Sequence, residues 1–324
     1  MTSSYFIGVD LGGTNIRTAR FARQSHIPEA KAKHPTQGAG GPEVVYQRLE
    51  AAIREVAPND LADVAGVGIA IPGPTDPYQG IVMKAPNLPG WINLPLKQIM
   101  EQRLGRPVFL GNDANLAALG EWKFGAGRGH DDVLYLTIST GIGGGVISGG
   151  RMLLGARGLA AEVGHTLLDP NGPLCGCGQY GHFEALASGT AITRTARSRL
   201  KAGQGAGSKV IDLVAGDLDK VTSAVVGQAA QAGDEFARKL IAEAGEYIGQ
   251  ALASLLHSYN PSIVIFGGGV SMLGDLLLEP ARAKLRQYAM SDAYWENCPL
   301  VVAALGDDSG LVGAGTLVME ETDL

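Results

Sequence analysis

The sequence predicts an α/β protein of two lobes, and three observations carry the prediction. A strand–glycine turn–strand unit occurs twice, helix-like and strand-like periodicities alternate along the chain, and 324 residues exceed what one core usually holds. The first unit pairs residues 5–10 with 15–21 around Gly12 and Gly13. The second runs from 133–138 into Ser139-Thr140-Gly141-Ile142-Gly143-Gly144-Gly145, and a third turn, Gly267-Gly268-Gly269, follows the apolar run 263–266. Glycine turns through φ > 0 and lets N–H groups approach phosphate oxygens with no Cβ in the way. One such turn is an ordinary tight turn. Three in this order read as the phosphates and adenosine of one nucleotide, held between two lobes.

Composition narrows the class. Hydrophobic content of 45% with mixed charge excludes disorder, and the 47 glycines lack a collagen-like period, so they serve turns. A net charge of −6 without a basic block is not the footprint of a nucleic-acid binder. No apolar run approaches the roughly 20 residues that span a bilayer, and the chain passes almost at once into its first strand, with no room for a signal peptide. The expectation is a cytoplasmic protein. Cys175, Cys177 and Cys298 are too few for a disulfide framework, and the close spacing of the first two suggests metal chemistry.

Element by element, the 5–10 and 15–21 runs read as a hairpin, with imperfect alternation at Ile16, Thr18 and Ala19. Val45, Leu49, Ile53 and Val56 at helical spacing predict a helix over 43–57, with Pro42 in its first turn. A buried strand over 64–71 ends at Pro72-Gly73-Pro74. The Pro-, Gly- and Asn-rich stretch from there to Asn93 is expected to be loop. Helix 94–104, strand 108–110 and helix 114–124 follow, then the second glycine unit. From Ala185 the chain is mainly helical, with one long pattern from Asp234 to Tyr259 stopped by Pro261. Strand 263–266 and a last helix from about Leu311 complete the prediction. The lobes are placed at 1–113, with the C-terminal helix 307–324 returning to it, and at 114–306.

Two familiar nucleotide motifs are excluded. No Gly-x-x-x-x-Gly-Lys-Ser/Thr loop is present, and the one Gly-x-Gly-x-x-Gly match, at Gly176, Gly178 and Gly181, follows Pro173 rather than a strand. The candidate chemistry lies at Gly111-Asn112-Asp113-Ala114-Asn115, where a strand delivers a carboxylate to the start of a helix. Two readings stand for Asn112 and Asp113: helix caps, or polar groups presented to a ligand.

The run Gly158-Leu159-Ala160-Ala161-Glu162-Val163-Gly164-His165, then Cys175-Gly176-Cys177-Gly178, then Gly181-His182-Phe183-Glu184, resembles the signature of the ROK family of sugar kinases and repressors. The glycine turns and the Gly-Asn-Asp segment fit that family as well. The resemblance reaches from Asp10 to Asp308-Ser309-Gly310-Leu311-Val312-Gly313-Ala314, and within the family the segment from Gly181 to Gly189 is most similar to glucokinases.

The resemblance implies an actin-like, hexokinase-like (ribonuclease H-like) ATPase fold with ATP and Mg²⁺ in an interlobe cleft. It makes Asp113 the general base that takes a proton from a sugar hydroxyl attacking the γ-phosphoryl group. Asn112, Glu162, His165 and Glu184 match positions that hold sugar hydroxyls, with Gly73 and Asn87 as weaker contacts. Gly12, Gly13 and Thr14, followed by Asn15, match the first phosphate turn, Thr140 and Gly141 the second, and Gly268 and Gly269 the adenosine region. Asp10 either helps hold the magnesium shell, through water, or stabilises its turn.

The family's zinc sites use one His and three Cys. His165, Cys175 and Cys177 match, and the fourth position here is His182, so the alternatives are a Cys₂His₂ zinc site or a packed imidazole beside reduced thiols. Cys298 reads as an ordinary buried thiol. The implied partners are a small-molecule sugar and a nucleotide, with no nucleic acid and no membrane, in a homodimer or homotetramer. The implied activity is hexose phosphorylation, glucose on its 6-hydroxyl first, with fructose, mannose or an N-acetylated amino sugar as alternative acceptors. A non-catalytic sugar sensor is the other class, while a repressor needs a DNA-reading helix for which no segment before Tyr5 has room.

Overall fold

The structure, a computed structural model, describes residues 4–322. Grouped by contacts, the chain forms two units. One holds the described residues through His130 together with Gly145–Ala161 and the described residues from Ala304 onward; the other holds Asp131–Gly144 and Glu162–Ala303.

The first unit opens with β1 (Tyr5–Leu11), β2 (Asn15–Ala22) and β3 (Pro28–Pro35), then α1 (Pro42–Val56) and β4 (Val64–Ile71). Three short strands follow, β5 (Thr75–Asp76), β6 (Ile81–Lys84) and β7 (Ile92–Leu94), then α2 (Leu96–Leu104), β8 (Val108–Asn112) and α3 (Asp113–Phe124). Its main sheet has the order β3-β2-β1-β4-β8. β1 pairs antiparallel with β2 across the predicted hairpin and parallel with β4, which explains its nearly continuous apolar sequence. β3, absent from the sequence prediction, alternates half-buried and exposed positions and turns Lys31 and Lys33 outward, as an edge strand does. α1 buries the predicted stripe of Val45, Leu49, Ile53 and Val56 against Ile7, Val9 and Ile69 of the sheet.

The stretch expected to be loop is instead a small sheet of order β5-β6-β7. Strands of two to four residues among turn residues leave no readable alternation, and what holds this sheet is burial of Val82 and Trp91, at 0% and 1% exposure. Leu94 pairs with Val82, so α2 begins after Pro95, not at residue 94.

The predicted boundary at 113 also shifts. α3 stays with the first unit because it packs on the C-terminal helix, α10 (Ser309–Glu321), at backbone-to-backbone distance. A Cβ added at Gly313 would lie 1.6 Å from the Leu116 carbonyl oxygen, and one at Gly120 would lie 2.6 Å from that of Ser309. Only glycine permits that approach. Beside this crossing, the fully buried Glu121 carboxylate accepts from Ala126 N (2.9 Å), Ala304 N (3.0 Å), Leu305 N (2.8 Å) and Ser309 Oγ (2.7 Å).

The second unit begins with β9 (Val133–Ile138) and β10 (Ile142–Ser148), along which the chain returns to the first unit for β11 (Arg151–Met152). The chain then forms α4 (Phe183–Ala187), α5 (Gly189–Lys201), α6 (Lys209–Leu213), α7 (Ser223–Gln231) and α8 (Glu235–Tyr259). β12 (Ile263–Gly267), α9 (Asp275–Tyr288) and β13 (Leu300–Val302) complete it, and the sheet order is β11-β10-β9-β12-β13. α8 starts as predicted, with Asp234 Oδ1 accepting from Ala237 N at 2.8 Å, and ends at a left-handed Asn260 before Pro261. The sequence prediction named neither α9, whose interior Pro280 breaks the helical signal, nor the three-residue β13.

Cys298 is buried, which pushes its thiol up to about 11. At pH 8 its alkylation should be on the order of 10²-fold slower than that of a free thiol, because so little thiolate is present. Mass spectrometry after timed iodoacetamide treatment checks this; labelling at the free-thiol rate would contradict the burial.

Candidate active site

In the first unit, the hairpin register places Asp10 opposite Arg17. Arg17 donates through Nε (2.9 Å) and Nη2 (2.5 Å), both to Asp10 Oδ2. The turn between the strands is closed by Gly12 N donating to the Asn15 carbonyl (2.9 Å), and Thr36 Oγ1 donates to the Gly12 carbonyl (2.6 Å). The Thr14 carbonyl accepts from Thr36 N at 2.8 Å. Gly13 presses against Asn87, where an added Cβ would lie 2.7 Å from the Asn87 Cβ. The structure thus brings Asn87, expected at the sugar, to the first glycine turn.

At the start of α3, Asn112 is the cap: its Oδ1 accepts from Ala114 N (3.0 Å) and Asn115 N (3.2 Å). Its Nδ2 donates to the Gly73 carbonyl at 3.2 Å, joining two of the predicted residues; Gly73 itself has φ +90. Capping by Asn112 leaves Asp113 as the first helical residue, half-buried, with Oδ1 accepting from Ala114 N at 2.8 Å. Its carboxylate thus sits at the N-terminal, positive end of the α3 dipole.

In the second unit, one ligand atom from each of His165, Cys175, Cys177 and His182 lies within 4.8 Å of the others. Cys175 Sγ is 3.7 Å from His165 Nδ1, and Cys177 Sγ is 3.2 Å from His182 Nδ1. A tetrahedron with bonds of 2.0–2.3 Å has edges of about 3.5 Å, so the donor set suits zinc. Burial pushes the Cys175 thiol up to about 11, so a bound cation would have to displace its proton. Bridges pairing Leu167 with His182 and Leu174 with Tyr180 fold the intervening segment back on itself and gather the four residues.

Glu162 and Glu184 flank this cluster. Glu162 keeps an open face to solvent, yet the protein packed around its carboxyl raises its pKa; Glu184 adds to the rise and His165 opposes it. Glu184 Oε2 accepts from Ile142 N at 3.0 Å, and Cys175 Sγ approaches Oε1 at 3.6 Å. On the second glycine turn, the Thr140 carbonyl accepts from Thr190 Oγ1 at 2.8 Å. Gly268 turns at φ +84, and Gly269 lies with Ser139, Thr140, Gln228, Gln231 and Met272 around a cavity of about 410 Å³.

A family model for ROK matches residues 6–321. The chain belongs to the ROK family. A glucokinase from Thermotoga maritima is 40% identical over 314 residues, 97% of each chain. The crystal structure of a ROK family glucokinase from Streptomyces griseus in complex with glucose and AMPPNP is 38% identical, with a TM-score of 0.85, over 98% of this chain and 99% of that one. The ROK hexokinase of Thermus thermophilus is 37% identical with a TM-score of 0.80, over the same shares. The fold is the actin-like, hexokinase-like ATPase fold that the motifs implied.

Two features of this ROK chain escape motif reading. Arg17 was missed because the register that sets it opposite Asp10 is fixed by the turn pairing Leu11 with Ile16, not by either strand's own pattern. Gln228 and Gln231 were missed because α7 carries no motif, and only folding sets it against Thr140 and Gly269.

Proposed function

We propose that this ROK protein is an ATP-dependent hexose kinase whose acceptor is D-glucose, phosphorylated at its 6-hydroxyl. The observation that carries the reading is its full-length likeness to a glucokinase whose structure holds glucose and AMPPNP. Asp113 is the general base, accepting the hydroxyl proton as that oxygen attacks the γ-phosphorus and ADP leaves. Asn112, Glu162, His165 and Glu184 hold the sugar hydroxyls, with Gly73 supporting Asn112 through its carbonyl. Asn87 backs the first phosphate turn of Gly12, Gly13, Thr14 and Asn15; Thr140 and Gly141 form the second, and Gly268 and Gly269 shape the adenosine end.

Magnesium, when bound with ATP, supplies charge neutralisation on the phosphates. Asp10 fits its shell through water, using Oδ1, because both Arg17 bonds use Oδ2. The test is coupled ADP release over a hexose panel. Glucose should give the highest kcat/KM, a different preferred hexose would replace the acceptor, and no turnover with any hexose would leave a sugar sensor.

For His165, Cys175, Cys177 and His182 we infer structural zinc that ties the segment between Glu162 and Glu184. Purified protein should contain about one zinc per chain by elemental analysis, Cys175→Ser or Cys177→Ser should lose it, and His182→Cys should keep it. Active, zinc-free protein prepared without chelator would defeat the assignment and leave His182 a packing residue. Glu162→Gln should weaken glucose binding by about tenfold with the fold intact, since a charged acceptor binds hydroxyls more strongly than an amide. An unaltered glucose titration would mean the pocket is misplaced.

Among the described residues no helix is long and apolar enough to cross a membrane. Three unpaired cysteines suit the cytoplasmic setting we infer. Family membership supports a homodimer or homotetramer, which light scattering would measure.

A further inference from the structure

We propose that Glu184 is also a positioning residue for the second phosphate turn, so that sugar held on its carboxylate tightens the grip on nucleotide. The inference rests on the kinase reading and deepens it. Three of four consecutive residues of that turn are fastened to one short stretch that starts at Glu184. Ile142 N donates to Glu184 Oε2 (3.0 Å), and the Ser139 carbonyl accepts from Gly189 N (2.7 Å). The Thr140 carbonyl accepts from both Thr190 N (3.2 Å) and Thr190 Oγ1 (2.8 Å). The fit is close: a Cβ at Gly141 would lie 2.3 Å from Glu184 Oε2, so glycine at 141 is what lets the carboxylate reach the turn. Ser139 and Thr140 of the same turn also line the 410 Å³ cavity beside Gly269, which the kinase reading gives to the nucleotide.

One carboxylate therefore serves two tasks. Oε2 fixes the backbone direction at Ile142, and Oε1, facing Cys175 Sγ at 3.6 Å, remains the oxygen for a sugar hydroxyl. Immobilising the carboxylate from the sugar side holds the turn in the conformation that binds phosphate. The ordering is then already complete when nucleotide arrives, which is positive coupling between the two ligands.

Titration calorimetry of AMPPNP with Mg²⁺, with and without saturating glucose, measures the coupling on the full chain. Wild type should bind the analogue about tenfold more tightly with glucose present, within the usual range for coupled sites. Glu184→Gln keeps an acceptor for the Ile142 N–H and should keep most of that ratio, while Glu184→Ala should bring it close to one. Thr190→Val loosens the turn without touching Glu184, so it should weaken AMPPNP in both conditions and leave the ratio alone. If Glu184→Ala keeps the wild-type ratio, the proposal falls. If that variant does not fold, hydrogen exchange on wild type decides: glucose alone should slow exchange of the Ile142 amide, and an unchanged rate overturns the coupling. A wild type that binds no hexose refutes the kinase reading itself, whereas one that binds glucose and AMPPNP independently refutes only the coupling.

Discussion

Asp113→Asn is expected to lower kcat by about 10²-fold or more, while glucose affinity stays within a few-fold of wild type. The amide keeps the size of the carboxylate and can still accept from Ala114 N, the bond that Oδ1 makes at 2.8 Å. What it lacks is basicity. A hydroxyl attacking phosphorus must lose its proton as the new bond forms, and without a positioned base that proton goes to water at a higher barrier. Because Asn112 rather than Asp113 caps α3 through Ala114 N and Asn115 N, the substitution leaves the cap in place. Steady-state kinetics beside a glucose titration separates the two effects. Near-normal turnover with chemistry still rate-limiting would remove Asp113 from the catalytic role.

Glu121→Ala is expected to destabilise the protein by about 3–5 kcal/mol, because it leaves four donors at a buried site without their acceptor at about 1 kcal/mol or more each. Four donors converge on this carboxylate, two on each oxygen, and alanine leaves all four in a site with no exposure. Three of the donors lie 183 to 188 positions away in sequence, so the contact holds the return of the chain onto the end of α3. Glu121→Gln should lose about half as much, since its carbonyl oxygen still accepts two of the four while its NH₂ faces the others. Urea denaturation gives the difference; a loss under about 1 kcal/mol for the alanine variant would show that water replaces the carboxylate without penalty.

Local patterns reached the elements but not every neighbour. The apolar run of β1, the stripe of α1 and the capped, proline-stopped α8 were legible because each is set by periodicity and end residues within its own segment. The cysteine–histidine cluster was legible too, since its four members lie within 18 positions and their side-chain chemistry is distinctive. The stretch from 72 to 93 was misread as loop for the converse reason: its strands are too short for a period, and Val82 and Trp91 order it only by entering a core made elsewhere.

The sequence by itself determined the α/β class, the three glycine turns, the family and the cysteine–histidine cluster, because each depends on residue type and short spacing. Tertiary structure alone decided that Asn87 backs the first glycine turn and that α3 belongs with α10 in one unit. It alone fastened the second turn to Glu184 and Thr190 and collected the donors of Glu121. Most of those contacts tie a side chain to a backbone group, which every residue carries, across separations that no local period encodes. A carboxylate's chemistry can be read from its type; which N–H groups it satisfies depends on the packing that brings them within 3 Å.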